Sequence, residues 1–171
     1  MSKENKITAC DLVSIAVRVE ETGVKCYEEM KKRATEPDMV SLLDYLVKDE
    51  AAHVTTFKEI FADVSCHPET MPDPEPADQG YLQTLMKSVV FDGPEAGLQL
   101  AQKARTPEEM VKFALQFERD AMLFWLKLFS LARPQDRPLV QRLIKQEEEH
   151  ISRLGARFLG RQVQDQSGVG W

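Results

Sequence analysis

The chain has 171 residues, 43% of them hydrophobic and 29% charged, which fits one domain with a buried core and a hydrated surface. The net charge is -6 and the sequence pI is about 5.2, without a basic run, which argues against nucleic-acid binding. No apolar run approaches the roughly 20 residues of a membrane helix, and none follows the polar N-terminus, so neither a membrane span nor a signal peptide is expected.

Two long amphipathic helices are predicted in the first part of the chain. Apolar residues recur at three- and four-residue steps over residues 8–33 and again over 37–62, where Pro37 suits a first helical turn. A glutamate interrupts each apolar stripe, Glu20 in the first helix and Glu50 in the second. Taken alone, such a glutamate is usually a boundary residue whose carboxylate reaches water, since glutamate is rarely buried unless it is paired.

Residues 63–106 are predicted to form one long crossover. The prolines between Pro68 and Pro76 forbid a continuous helix, and only two short segments, about 79–91 and 95–105, have a helical pattern. A long connection of this kind allows the helices before and after it to run parallel.

Two more long helices are predicted in the last part of the chain. The first, residues 107–132, begins with a Thr-Pro-Glu-Glu capping signal, and the second, residues 138–159, follows a proline-rich turn. Each again has a glutamate inside its apolar stripe, Glu118 and Glu147. The tail 160–171 is polar and contains glycine, so it is expected to be irregular unless it docks on a partner.

Two histidines complete a repeated pattern. His53 follows Glu50 by three residues and His150 follows Glu147 by three, which gives the order Glu, ExxH, Glu, ExxH. Positions i and i+3 share a helix face, and bundles that bind two metal ions take one Glu from each of two helices and one ExxH from each of the other two. Four carboxylates balance two divalent cations, and carboxylate with imidazole suits iron or manganese. The predicted metal ligands are Glu20, Glu50, His53, Glu118, Glu147 and His150.

The two halves of the chain look like a weak internal duplication. Tyr27 and Trp125 each stand seven residues after their glutamate, which indicates a site with pseudo-two-fold symmetry. For Tyr27 two interpretations stay open: an aromatic that fills the core, or a phenol that bonds a ligand carboxylate or relays electrons. Four buried carboxylates without compensation would cost many kcal/mol, so a metal site is favoured over a core of acidic networks.

These motifs resemble the ferritin-like di-iron superfamily, nearest to rubrerythrin-type domains. The resemblance rests on Glu20 with an aromatic seven residues later and on the two ExxH motifs, and it covers about residues 8–159. It implies one all-α domain over residues 1–171, a ferritin-like four-helix bundle with a long crossover between the second and third helices. It also implies two bound iron ions, with manganese possible, and a homodimer. Glu50 and Glu147 would bridge the ions, Glu20 and Glu118 would be terminal or bridging ligands, and both histidines would be terminal ligands.

The departures from that family shape the functional hypothesis. The chain has no rubredoxin domain with two CxxC knuckles, so electrons would come from a separate donor such as a rubredoxin-like protein. Ala121 stands where typical rubrerythrins carry a second glutamate that takes part in a redox-linked ligand change, so the usual peroxidase activity does not follow from the resemblance. Ala51 stands where bacterioferritin-like haem binding uses methionine, so no haem is expected.

The leading hypothesis is a di-iron oxidoreductase that acts on peroxide or dioxygen, as a peroxidase or a ferroxidase. Glu20, Glu50, Glu118 and Glu147 would act through the metals, and Tyr27 is a weaker candidate. The alternative is a protein that binds and releases iron without turnover. A bundle whose acidic residues form hydrogen-bonded networks without metal is a third interpretation.

The cysteines point to a reducing compartment. Cys10, Cys26 and Cys66 form no CxxC pair, and an odd, small number fits reduced thiols in a cytoplasm better than a disulfide framework. Cys66-His67 is interpreted as part of a solvated loop, because closed metal sites need about four ligands. Cys26 is interpreted as a small packing residue.

Overall fold

The computed structural model describes residues 8–63, 73–87, 94–132, 134 and 136–167. Within these ranges the secondary structure is helical throughout, which confirms the all-α prediction for that part of the chain. The described helices are α1 (Ala9–Lys31), α2 (Pro37–Asp63), α3 (Pro76–Leu85), α4 (Pro94–Lys103), α5 (Pro107–Leu131) and α6 (Arg137–Ser167). None of them combines the length and apolar character needed to cross a membrane. The Cys66-His67 pair lies outside the described residues.

Local sequence signals set the start of two long helices. In α1, Asp11 N donates to Thr8 Oγ1 at 3.2 Å and Thr8 N donates to Asp11 Oδ2 at 2.7 Å. In α5, Glu109 N donates to Thr106 Oγ1 at 3.1 Å and Thr106 N donates back to Glu109 Oε2 at 3.0 Å. These reciprocal bonds form capping boxes that satisfy amide groups left over at a helix start. The predicted capping box of the third long helix is thereby confirmed.

The predicted ends of other elements need correction. The segment 160–167 continues α6 and is not irregular. No proline stops the helix there, and Gly160 costs only about 1 kcal/mol relative to alanine, which a helix rich in Arg and Gln tolerates. The helix α3 begins at Pro76, three residues before the predicted start, because proline is well placed in a first helical turn. It ends at Leu85, before the predicted end at residue 91.

The long helices surround a core that joins distant parts of the chain. α1 packs against α2, α4 and α5, and α5 packs along α6. Phe57 of α2 stacks on Trp125 of α5 with ring centroids 5.0 Å apart, and Phe124 meets the same indole edge-on at 4.9 Å. All three rings are almost fully buried, and aromatic pairs of this kind contribute about 1 kcal/mol beyond their area.

The crossover helices are fixed onto this core by polar contacts. Lys127 of α5 forms an ion pair with Asp78 of α3, beside the buried Leu82. Arg33, at the end of α1, donates to the carbonyl oxygen of Ala101 in α4 at 2.5 Å. That guanidinium group satisfies a carbonyl in the last turn of α4, where a cation is also favourable to the helix dipole. These contacts therefore hold α3 against α5 and α4 against α1.

Of the described glycines, Gly97 of α4 leaves the least room for a side chain, because it lies against α1. A Cβ atom at this position would lie 2.7 Å from Thr22 Cγ2 and 3.1 Å from Cys26 Sγ. Thr22 and Cys26 are fully buried, and Thr22 Oγ1 donates to Arg18 O at 2.7 Å, so the methyl group cannot rotate away without breaking that bond. The α1–α4 contact therefore requires glycine.

We predict that Gly97→Ala lowers the free energy of unfolding by about 1–3 kcal/mol, as overpacked cores do. Gly155→Ala is the matched control, because no atom lies within 4 Å of its added Cβ, and the change should stabilise α6 by up to about 1 kcal/mol. Urea unfolding followed by circular dichroism measures both effects. Equal or greater stability for Gly97→Ala would contradict the close approach of α4.

Candidate metal centre

The six predicted ligands come together in the interior, and each of the four long helices contributes at least one. They are at most 2% exposed. α1 supplies Glu20, α2 supplies Glu50 and His53, α5 supplies Glu118, and α6 supplies Glu147 and His150. The i, i+3 spacing on α2 and α6 turns each glutamate and its histidine toward the same centre.

Two groups of four residues each offer ligand atoms that lie within 4.8 Å of one another. The first group is Glu20, Glu50, His53 and Glu147, and the second is Glu50, Glu118, Glu147 and His150. Glu50 and Glu147 belong to both groups, whereas each of the other four belongs to one. The geometry is that of two adjoining cation sites that share a pair of carboxylates.

The Nδ1 atom of each histidine faces the carboxylates. His53 Nδ1 lies 3.2 Å from Glu50 Oε2 and 3.3 Å from Glu20 Oε2. His150 Nδ1 lies 3.2 Å from Glu147 Oε2. The two imidazole rings stack with centroids 5.9 Å apart, so they stand side by side along the shared carboxylates. Nδ1 is therefore the nitrogen of each ring that would bind a metal.

The carboxyl groups have pKa values that differ widely. Burial, together with the charges of Glu20 and Glu147, raises the pKa of Glu50 well above its ordinary value. Burial, reinforced by the charge of Glu147, raises the pKa of Glu118 to about 8. Burial also acts to raise the pKa of Glu147, but close contacts with the His150 and His53 imidazoles outweigh it and lower that pKa to about 2. Of these three carboxyl groups, Glu147 is the one that stays charged most readily.

The histidines compensate this negative charge in the metal-free protein. Burial acts to lower the pKa of His150, but contacts with Glu118 and Glu147 outweigh it and raise that pKa to about 12. Contacts with Glu147, Glu20 and Glu50 overcome burial in the same way and raise the pKa of His53. Both imidazoles therefore hold two protons at neutral pH without a metal, and a bound cation would displace one from each Nδ1.

Tyr27 bonds directly to one of the predicted ligands. Its hydroxyl group donates to Glu118 Oε1 at 2.5 Å, and its ring meets Phe117 edge-on with centroids 5.8 Å apart. Burial and the nearby charges of Glu118 and Glu50 raise the pKa of Tyr27 well above its ordinary value. The phenol therefore stays protonated and orients Glu118, which adds a polar contact to its role as core filler.

Several buried polar atoms at the centre have no hydrogen-bond partner among the described residues. They are Glu20 Oε1, Glu118 Oε2, Glu147 Oε2, His53 Nε2 and His150 Nδ1. Leaving a buried polar atom unsatisfied costs about 1–3 kcal/mol, and native proteins usually avoid it. Four of the five atoms are carboxylate oxygens or the site-facing nitrogen, which a cation would satisfy. The centre therefore fits a pair of metal ions.

Sequence reasoning missed two residues that shape the centre. Asp49 Oδ2 lies 2.8 Å from His150 Nε2, so it accepts a hydrogen bond from the outer nitrogen of that ring. Gly23 leaves space for Glu50, since an added Cβ would lie 3.4 Å from Glu50 Cδ and 3.2 Å from Phe117 Cε1. Asp49 directly precedes Glu50 in the sequence, but nothing in one helix indicates that it reaches a histidine of another.

No protein-family model, no curated protein and no solved structure matches the sequence or the fold. What the centre can bind therefore follows from its donor atoms, their burial and their spacing.

We predict unequal effects of two isosteric changes on the metal-free protein at pH 7. Glu50→Gln should change the free energy of unfolding by less than about 1 kcal/mol, because burial and the neighbouring carboxylates raise the pKa of Glu50 and so favour its neutral form, which an amide resembles. Glu147→Gln should cost about 3 kcal/mol, because it removes the anion that faces two protonated imidazoles. Urea unfolding in the presence of a chelator measures both. Equal destabilisation by the two changes would contradict this distribution of protons.

Proposed function

We propose that the chain is a ferritin-like four-helix bundle that binds two iron ions and reduces peroxide or dioxygen with electrons from a separate donor. The observation that carries the proposal is the pair of adjoining donor groups that share Glu50 and Glu147. Each group also contains one imidazole, His53 in the first and His150 in the second, which a purely acidic hydrogen-bonded network would not need.

The order of the helices supports the ferritin-like assignment. The ligands come from α1, α2, α5 and α6, and the crossover helices α3 and α4 stand between the second and third of these. Bundles that hold two iron or manganese ions use this distribution of Glu and ExxH. Rubrerythrin-type domains, which the motifs resemble, use it in peroxide reduction.

The donor set favours iron or manganese over softer metals. In the proposed site Glu20 and His53 would hold one ion and Glu118 and His150 the other, and Glu50 and Glu147, which belong to both groups, would serve both ions. Carboxylate oxygens with single imidazoles are typical of these metals, and four carboxylates neutralise two divalent cations. Redox-active ions, when bound, would supply the electrons and the open coordination positions for an oxidant.

The protein's own contribution is positioning and exclusion of water. Tyr27 holds Glu118 through its hydroxyl group, and Phe57, Phe117 and Trp125 are at most 4% exposed. The burial of the six ligands strengthens each electrostatic contact between them.

A non-catalytic iron-handling function is the second candidate. Ala121 is buried at the position where typical rubrerythrins carry an additional glutamate, so the centre lacks the carboxylate of their redox-linked ligand change. A chain with these six ligands alone can bind and release iron without repeated turnover.

We predict that the metal-free protein takes up two Fe(II) ions per chain in an anaerobic titration. His53→Ala and His150→Ala should each lower this number to about one, and His67→Ala, which changes the third histidine, should leave it at two. Proton release should accompany uptake, and the affinity should fall as the pH falls, since protons compete for both imidazoles. Full occupancy in both single-histidine variants of the centre would remove the assignment.

We predict repeated peroxide consumption by the iron-loaded protein when a reductant regenerates Fe(II). Glu50→Gln, which removes a shared carboxylate, should abolish this activity, and its folded state can be checked by circular dichroism. Peroxide consumption can be followed with an electrode. Consumption that stops after one equivalent per pair of ions, with reductant still present, would favour the iron-handling function instead.

A further inference from the structure

The surroundings of the two metal-site histidines can be compared position by position. α2 and α6 carry the same ExxH motif, so that Glu50 corresponds to Glu147 and His53 to His150. In this register the residue before each glutamate is Asp49 on α2 and Gln146 on α6. Five residues before each glutamate stand Tyr45 and Arg142, and three residues after each histidine stand Thr56 and Arg153.

His150 is held tightly on its outer side. Its Nε2 lies 2.8 Å from Asp49 Oδ2, and its ring meets the Tyr45 ring edge-on with centroids 5.7 Å apart. Arg153 covers Tyr45, with Cζ 4.3 Å from the ring centroid. The imidazole is fully buried. Glu118, on the same side of the centre, is fixed by the Tyr27 hydroxyl group.

His53 has none of this support among the described residues. Its Nε2 is buried without a hydrogen-bond partner there, and Glu20 Oε1, on the same side of the centre, has none either. A pocket of about 530 Å³ lies beside His53 between α2 and α6. Gln146, Arg142 and Thr56 all line it, and these are the positions that correspond to Asp49, Tyr45 and Arg153. An amide, a cation and a hydroxyl group thus replace the carboxylate, aromatic ring and guanidinium group that enclose His150.

These differences change how strongly each imidazole binds a cation. A carboxylate that accepts the outer N–H of a ligand histidine raises the basicity of the ligating nitrogen and fixes the ring, and losing it typically costs 10–100-fold in metal affinity. Asp49 provides this contact for His150, whereas Gln146 places a neutral amide at the corresponding position. Arg142 and Lys145, which line the pocket, add positive charge near His53.

We propose that the two ions are held unequally: Glu118 and His150 bind a tight ion, and Glu20 and His53 bind a weaker ion that exchanges through the pocket between α2 and α6. Asp49 is the positioning residue for the tight site, and Gln146 makes the second site weak. This inference rests on the proposed two-ion centre and deepens it.

Two separate steps in a metal titration would not by themselves show that the two sites differ in affinity. Shared carboxylates and repulsion between cations weaken the second ion even in a symmetric centre. The proposal is decided by which of the two sites binds the first ion. Variants that keep only one of the two histidines can show this.

The experiment measures Co(II) affinity, by visible absorption without oxidant, in His53→Ala and His150→Ala. His53→Ala should bind one ion with the affinity of the first wild-type step. His150→Ala should bind its one ion 10–100-fold more weakly. Equal affinities in the two variants would overturn the inference while leaving the two-ion centre in place. A wild-type protein that binds no Co(II), Mn(II) or Fe(II) would remove the proposed function and this inference with it.

A second pair of variants tests the assigned cause. Gln146→Asp should strengthen the weaker step about 10-fold or more, and Gln146→Asn, a neutral control of equal length to aspartate, should not. Asp49→Asn should weaken the first step 10–100-fold. A gain of affinity cannot come from damage to the fold, so it separates a positioning effect from a structural one. Equal affinities of Gln146→Asp and Gln146→Asn would contradict the role given to Gln146.

Discussion

The burial of four carboxyl groups between α1, α2, α5 and α6 constrains the rest of the structure. An ionised carboxylate taken out of water costs several kcal/mol unless charge and hydrogen bonds compensate it. The metal-free chain compensates with two protonated imidazoles, with the Tyr27 hydroxyl group and with a raised pKa of Glu50, which favours its neutral form. An apolar core of the same volume would be more stable, and such a cost is usual at sites kept for function.

The sequence predicts the long helices and the ligands because both depend on local spacing. Capping boxes at Thr8 and Thr106 and the prolines at the helix starts are local signals, and the observed helices begin within a few residues of the predicted positions. Three-residue spacing orients Glu50 with His53 whatever surrounds them. The sequence therefore indicated the six residues that the structure brings together.

Contacts between helices could not be predicted in the same way. The bond from His150 to Asp49 joins residues 101 positions apart, and the glycine requirement at Gly97 arises only from the position of α4 on α1. The end of α6 was missed for a different reason: a polar, glycine-containing segment has no strong stop signal, so its helicity depends on continuation from the preceding turns. The spacing of residues in a sequence indicates which helix face a residue occupies, but not which other helix packs against that face.

The weak duplication preserves the ligands but not their supports. Tyr27 and Trp125 occupy corresponding positions, yet the phenol bonds to Glu118 while the indole N–H has no hydrogen-bond partner among the described residues. The supporting contacts of Tyr27 and Asp49 both lie on the Glu118 and His150 side. In the proposed centre, two rates would relate the candidate functions: the rate at which the weaker ion leaves and the rate at which a donor reduces it to Fe(II). Faster loss would correspond to iron handling, and longer retention would allow repeated turnover by the same residues.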